Sequence, residues 1–116
     1  MYIHIYVYRV SDPSVMVMSN DVVMREKRIE SALVKAVKQK HGMALKLTSP
    51  GLDGVPDRLI LFEDGRIGFV ETKAPGQKMR PLQEKRKRQL EALGFLVFCV
   101  DDTDQIEEVL HAIQST

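Results

Sequence analysis

The stretch that decides the fold is GVPDRLILFEDGRIGFVETKAP, residues 54–75. Two apolar runs lie on either side of Glu63-Asp64-Gly65. Asp-Gly between such runs is a strong hairpin signal, because both residues accept the left-handed backbone of a tight antiparallel turn. The spacing predicts strands over 57–62 and 66–73. The open end of this hairpin nevertheless carries charge. Asp57 starts one strand, and Glu71 and Lys73 close the other. Burying such groups is unfavourable unless they are paired or put to use.

An antiparallel register around this turn sets Asp57 beside Glu71, on strands about 4.8 Å apart. Two carboxylates that close repel unless something positive lies between them. A hard divalent cation is the usual solution, and oxygen-only donors suit Mg²⁺ or Mn²⁺ and not zinc. The backbone carbonyl of Thr72 is a further candidate ligand. Lys73 follows Glu71 by two and so points to the same side of a strand. Its ammonium is placed to hold a phosphate oxygen or a nucleophilic water. Metal and lysine together suit phosphodiester hydrolysis, where charge develops on the phosphate. Glu-x-Lys alone is weak, since a surface ion pair capping the hairpin also produces it. Pro-Asp, apolar strand, turn, apolar strand and Glu-x-Lys in that order form a far more specific pattern.

Outward from the hairpin, Ile29, Ala32, Leu33, Ala36 and Val37 mark one face of a helix starting near Arg25, with Gly42 as its stop. Glu30 lies just beyond the Val37 edge and is expected to lean over the sheet end toward the metal. Glu26, one turn earlier, reads as a solvated first-turn acid favoured by the helix dipole. Residues 44–48 suit a strand and 49–56 a turn-rich loop. Pro81 opens a second helix running to Gly94. Gln83, in its first turn, is a candidate to orient phosphate or water where helix N-termini favour anions. Residues 95–100, FLVFCV, read as a strand buried on both faces. DDTD (101–104) caps a last helix with Ile106, Val109, Leu110 and Ile113. The unit from Ile67 to Val100 should be a right-handed crossover between parallel strands. The face covered by the first helix stays open. Upstream, residues 1–10 alternate as a strand, VMVM (15–18) suggests a second short one, and Ser19-Asn20-Asp21 a loop or cap. The tyrosines of that first stretch suit edge-strand packing better than base stacking. His4, His41 and His111 have no metal-ligand spacing.

The 116 residues suit one core, and 44% hydrophobic with 28% charged residues excludes a disordered chain. No apolar run approaches a membrane span of about 18 residues, and the N-terminus lacks the basic start of a signal peptide. The single Cys99, read as a buried structural thiol, fits a reducing, cytoplasmic compartment. Net charge is only +1, from 17 Lys+Arg against 16 Asp+Glu. The basic run KMRPLQEKRKR (78–88) is however segregated from the acidic DDTDQIEE (101–108), which suggests one face for polyanions. Lys78, Arg80, Lys85 and Arg86 are the candidate phosphate contacts. Residues 85–88 spread around a helix, so only some of them can face a ligand.

Together these residues resemble the VRR-NUC branch of the PD-(D/E)xK nuclease superfamily. The resemblance runs from about Met24 to the C-terminus. It rests on Glu30 in RIESALVKAV, Asp57 in GVPDRLIL, Glu71 and Lys73 in FVETKAPG, and Gln83 in RPLQ. It implies an α/β, restriction-endonuclease-like core: a mixed sheet flanked by helices in the order α-β-β-β-α-β-α. Residues 1–23 would be an N-terminal arm, in part a β extension, and 24–116 the nuclease domain. By resemblance, Asp57, Glu71, the Thr72 carbonyl and Glu30 hold Mg²⁺ or Mn²⁺, and Lys73 is the catalytic lysine. The short length is like that of stand-alone members, often from phages, that act as homodimers on branched DNA, four-way junctions in particular. The expected setting is a bacterial or phage-infected cell. The alternatives are a sequence-specific nuclease, a flap or end nuclease, or a nucleic-acid-binding module that lost its chemistry. The last is disfavoured because every motif residue is present.

Overall fold

Four strands form one mixed sheet in the order β1 (Met43–Lys46), β2 (Arg58–Phe62), β3 (Arg66–Thr72), β4 (Leu96–Val100). The structure is a computed structural model and describes residues 13–116. The strand expected over 1–10 lies outside the described residues. β1–β2 and β2–β3 pair antiparallel, and β3–β4 pair parallel, so the strand–helix–strand crossover is present. The helices are α1 (Pro13–Gln39), α2 (Pro81–Ala92) and α3 (Ile106–Gln114). This is the order expected from the sequence. At the hairpin turn Asp64 and Gly65 sit at φ 64° and 70°, the left-handed pair that Asp-Gly supplies.

α1 and α3 share one face of the sheet, which answers the question the sequence left open. Ile29, Leu33 and Val37 of α1 and Ile106, Leu110 and Ile113 of α3 pack on Ile60, Phe62, Val70 and Val100. α2 lies on the opposite face. There Leu59, Leu61, Ile67 and Phe69 stay half-buried, while Met43, Leu45 and Phe95 are exposed. β4 is an edge of the described sheet, yet Val97 and Val100 are buried from opposite sides.

Two expectations at α1 need correction. VMVM (15–18) and Ser19-Asn20-Asp21 are not a strand and a loop; they belong to the helix, which begins at Pro13. Proline is well suited to the first helical position, where its missing N–H leaves no bond unmade. The division expected at residue 24 falls inside this helix. At the other end the left-handed stop is His41, φ 62°, and not Gly42. Gly42 serves close packing instead: a Cβ there would lie 2.6 Å from Cδ1 of Phe62. Glu30 reaches Lys46 and Arg58 at the sheet's end. The residues before it therefore run past that end, roughly 20 Å from Glu26 to Pro13 at 1.5 Å per residue. No helix among the described residues is long and apolar enough to cross a membrane.

Candidate active site

The β2–β3 register pairs Arg58 with Val70, and its next step sets Asp57 opposite Glu71. The Asp57 N–H donates to Oε1 of Glu71 at 3.2 Å. Thr72 donates its amide to Oδ1 of Asp57 at 3.3 Å and its hydroxyl to Oδ2 at 2.8 Å. Gln83, buried in the first turn of α2, bridges two elements. Its Nε2 donates to Oε2 of Glu71 at 2.9 Å, and its Oε1 accepts the Arg80 N–H at 2.9 Å. Lys73 continues the β3–β4 pairing by donating its amide to the Val100 carbonyl at 2.9 Å. Its ammonium lies 3.7 Å from Oε2 of Glu71. Every carboxylate oxygen of Asp57 and Glu71 is thus engaged by a protein donor.

These acids hold protons unusually well. Burial, reinforced by the negative charge of Asp57 and opposed by Lys73, pushes Glu71 up to about 7. Burial also raises Asp57, although the Thr72 hydroxyl works against it. Behind them Cys99 is half-buried, not fully buried as expected. Burial and then the charge of Glu71 push its thiol up to about 11, so it stays protonated and inert.

The two acids of α1 part company. Glu30 is held by Arg58 at 3.1 Å and by Lys46 at 3.2 Å, and reaches Asp57 only through its field. Glu26, which the sequence reading set aside, is half-buried and feels Lys73, Asp57 and Glu30. Burial raises its carboxyl, and Lys73 opposes the rise. The sequence shows Glu26 and Glu30 one turn apart on one helical face, but not where the helix starts. Starting the helix at Arg25 had made Glu26 a first-turn acid, whereas it lies well inside α1.

Among the described residues no three His, Cys, Asp or Glu side chains converge closely enough to enclose a metal. The donor set still fits a hard cation. Asp57, Glu71 and Glu26 feel one another's negative charge, Lys73 offsets it at Glu71 and Glu26 and Lys46 at Asp57 and Glu26, and the donors are oxygens alone. Lys78, Arg80 and Lys85 are exposed. Arg86 is engaged in bracing, donating Nε to the Asp53 carbonyl at 2.8 Å and Nη1 to Gln89 at 3.0 Å.

No protein-family model matches the chain. A solved structure described as a VRR_NUC domain superposes with a TM-score of 0.70 at 27% identity, covering 75% of this chain and 95% of that one. The "Putative nuclease p44" of Acyrthosiphon pisum secondary endosymbiont phage 1 is 44% identical over 91 residues, 78% of this chain and 97% of that protein. The chain belongs to the VRR-NUC nuclease family. It is a phage-type VRR-NUC nuclease, and its mixed sheet with flanking helices is the restriction-endonuclease-like fold. The solved VRR_NUC domain therefore agrees with the fold reached from the hairpin outward.

Proposed function

We propose that this nuclease is a metal-dependent, structure-selective DNA endonuclease that cuts branched DNA, such as four-way junctions, as a homodimer. The observation that carries the chemistry is the end of the β2–β3 hairpin: Asp57 abreast of Glu71, with Lys73 beside them. Asp57, Glu71 and the Thr72 carbonyl would hold Mg²⁺ or Mn²⁺, with Glu26 completing the acidic cluster and Glu30 acting from one turn away. Such an ion, when bound, supplies Lewis acidity toward the phosphate. Lys73 donates a hydrogen bond to a phosphate oxygen and offsets the charge that grows there. Gln83 is a positioning residue: its amide fixes Glu71 against the start of α2. Lys78, Arg80 and Lys85 hold flanking phosphates, with Arg86 bracing the loop at Asp53.

The reading of a branched substrate rests on the likeness to phage-type members of the family. Two symmetric nicks across a junction need two copies of the site. Exposed Met43, Leu45 and Phe95 offer apolar surface for a second copy. The deciding experiment incubates the protein with Mg²⁺ or Mn²⁺ and labelled four-way junction, flap, nicked duplex and linear duplex. Paired symmetric nicks in the junction, lost in Asp57→Ala and Lys73→Ala, are expected. No cleavage of any substrate, or equal cleavage by the variants, overturns the enzyme reading. Cleavage confined to linear duplex at one sequence overturns the junction reading alone.

A further inference from the structure

The proposed site poses an electrostatic problem. Asp57, Glu71 and Glu26 gather here; Lys73 acts on Glu71 and Glu26, and the exposed Lys46, already paired with Glu30, acts on Asp57 and Glu26. A polyanionic strand has to be held there from both sides by cations. On the α2 side Lys78 and Arg80 are exposed. On the other side, residues 25–30 of α1 wrap around the same end of the sheet. At 100° per residue, Arg25 and Arg28 point away from Glu30, on the far side of the Ile29 ridge.

There a cavity of about 320 Å³ is lined by Arg25, Arg28, Ile29, Pro75, Asp102 and Thr103. Pro75 stands two residues beyond Lys73, so the cavity begins where the site ends. Beside it the Gly76 amide donates to Asp101 at 3.4 Å, joining the loop after Lys73 to the end of β4. Asp102 accepts the Asp104 N–H at 2.9 Å, which turns its carboxylate into its own turn. Arg28 is exposed and forms no ion pair among the described residues. Arg25 is paired with Asp21 at 2.6 Å, but both are about half exposed, 51% and 54%, so the pair yields readily to a phosphate. Arginine forks match phosphate oxygens better than any other side chain.

We propose that the cavity between α1 and the β4–α3 junction is a backbone-phosphate clamp. Arg28, assisted by Arg25, grips the nucleic-acid strand on the side of the site opposite Lys78 and Arg80. This assignment rests on the DNA-endonuclease reading and adds the path of the strand: from Lys78 and Arg80, across Lys73, into the Arg25–Arg28 cavity. Asp102 is the one carboxylate in the cavity wall and sets an upper limit on the grip.

The test measures binding of fluorescein-labelled duplex and four-way junction in EDTA, where no cleavage intervenes, across a salt series. Arg28→Ala should lower the slope of log affinity against log salt by about one, with a corresponding loss of affinity at low salt. Arg28→Lys should restore most of the slope. Asp102→Asn, which still caps its turn, should tighten binding. Lys38→Ala removes the same charge from the distant end of α1 and should change neither slope nor affinity beyond error. Arg28→Ala is expected to fold, since alanine is the better helix former at an exposed position. If the native protein binds and Arg28→Ala matches it, or matches Lys38→Ala, the clamp is wrong while the nuclease reading stands. If the native protein binds neither DNA, the DNA reading falls and takes the clamp with it.

Discussion

The two ends of the β2–β3 hairpin are made of the same residue types and live in opposite environments. At the turn, Glu63, Asp64 and Gly65 are exposed, and the backbone alone closes the loop. At the open end, Asp57, Glu71 and Lys73 are drawn under α1 and α2 until Glu71 is only 5% exposed. The turn spends its charged residues on solubility and geometry. The open end keeps charges where they destabilise the fold, a trade expected where chemistry is done. Hydrogen bonds from Thr72, Gln83 and the Asp57 amide make that arrangement tolerable without neutralising it.

The sharpest way to break this contrast is to remove the cation. Lys73→Ala should lower single-turnover cleavage roughly a thousandfold, the scale of losing one preorganised donor to a developing oxyanion. The fold should survive, as shown by unchanged far-ultraviolet circular dichroism. A variant that cleaves within tenfold of the native enzyme would make Lys73 a structural partner of Glu71 and nothing more.

The acid at the open end gives the next effect, seen in stability. The Glu71 carboxyl has an ordinary value near 4.5 and stands at about 7 in the fold. Between those values the folded protein keeps a proton that the unfolded chain has lost. Stability therefore falls as pH rises across that window, by about 3 kcal/mol for this group. Asp57 and Glu26, also raised, act in the same direction. Chemical denaturation in EDTA at pH 5 and pH 8 should show the decline, and Glu71→Gln should flatten most of it. A divalent ion should lessen the decline, because it favours the ionised carboxylates. An equal slope in Glu71→Gln would mean that burial at this end is not what raises the group.

Glu26 and Glu30 repeat the comparison within one helix. Glu26 faces Lys73 and Asp57, and Glu30 is locked between Arg58 and Lys46. Glu26→Gln should cost roughly ten- to a hundredfold in cleavage with little change in stability. Glu30→Gln should act mainly on stability, because it strips a largely buried guanidinium of its charged partner. The reverse pattern would restore Glu30 as the member of the acidic cluster.

How far the sequence reaches is visible in these same residues. The hairpin, its register and the Asp57–Glu71 juxtaposition are legible because Asp-Gly fixes the turn and alternation fixes the faces. The start of α1 is not. VMVM fits both a strand and a helix over four residues, and Pro13 reads as a break when it is an N-terminal first turn. That single misplacement cost the reading of Glu26. The face chosen by α1 and α3 depends on long-range packing: Ile113 sits so close over Gly68 that a Cβ there would come within 2.6 Å. No local pattern announces such a contact. Gln83 reads from the sequence as a candidate to orient phosphate or water at a helix start, but its grip on Glu71 appears only in three dimensions.

The exposed end of the hairpin provides the smallest effect and the control for all the others. Gly65 sits at φ 70° with nothing within 4 Å of where a Cβ would stand. Gly65→Ala therefore meets no clash and feels only the left-handed backbone, about 1 kcal/mol. Tm should fall by about 5 °C. Cleavage by the folded protein should be unchanged, because the register from Arg58–Val70 to Phe62–Arg66 is also held by the core residues Ile60, Phe62 and Val70. A loss of cleavage larger than the loss of stability would show that the turn sets the distance between Asp57 and Glu71. The two ends of the hairpin would then be one mechanical unit, and the contrast between them one of burial alone.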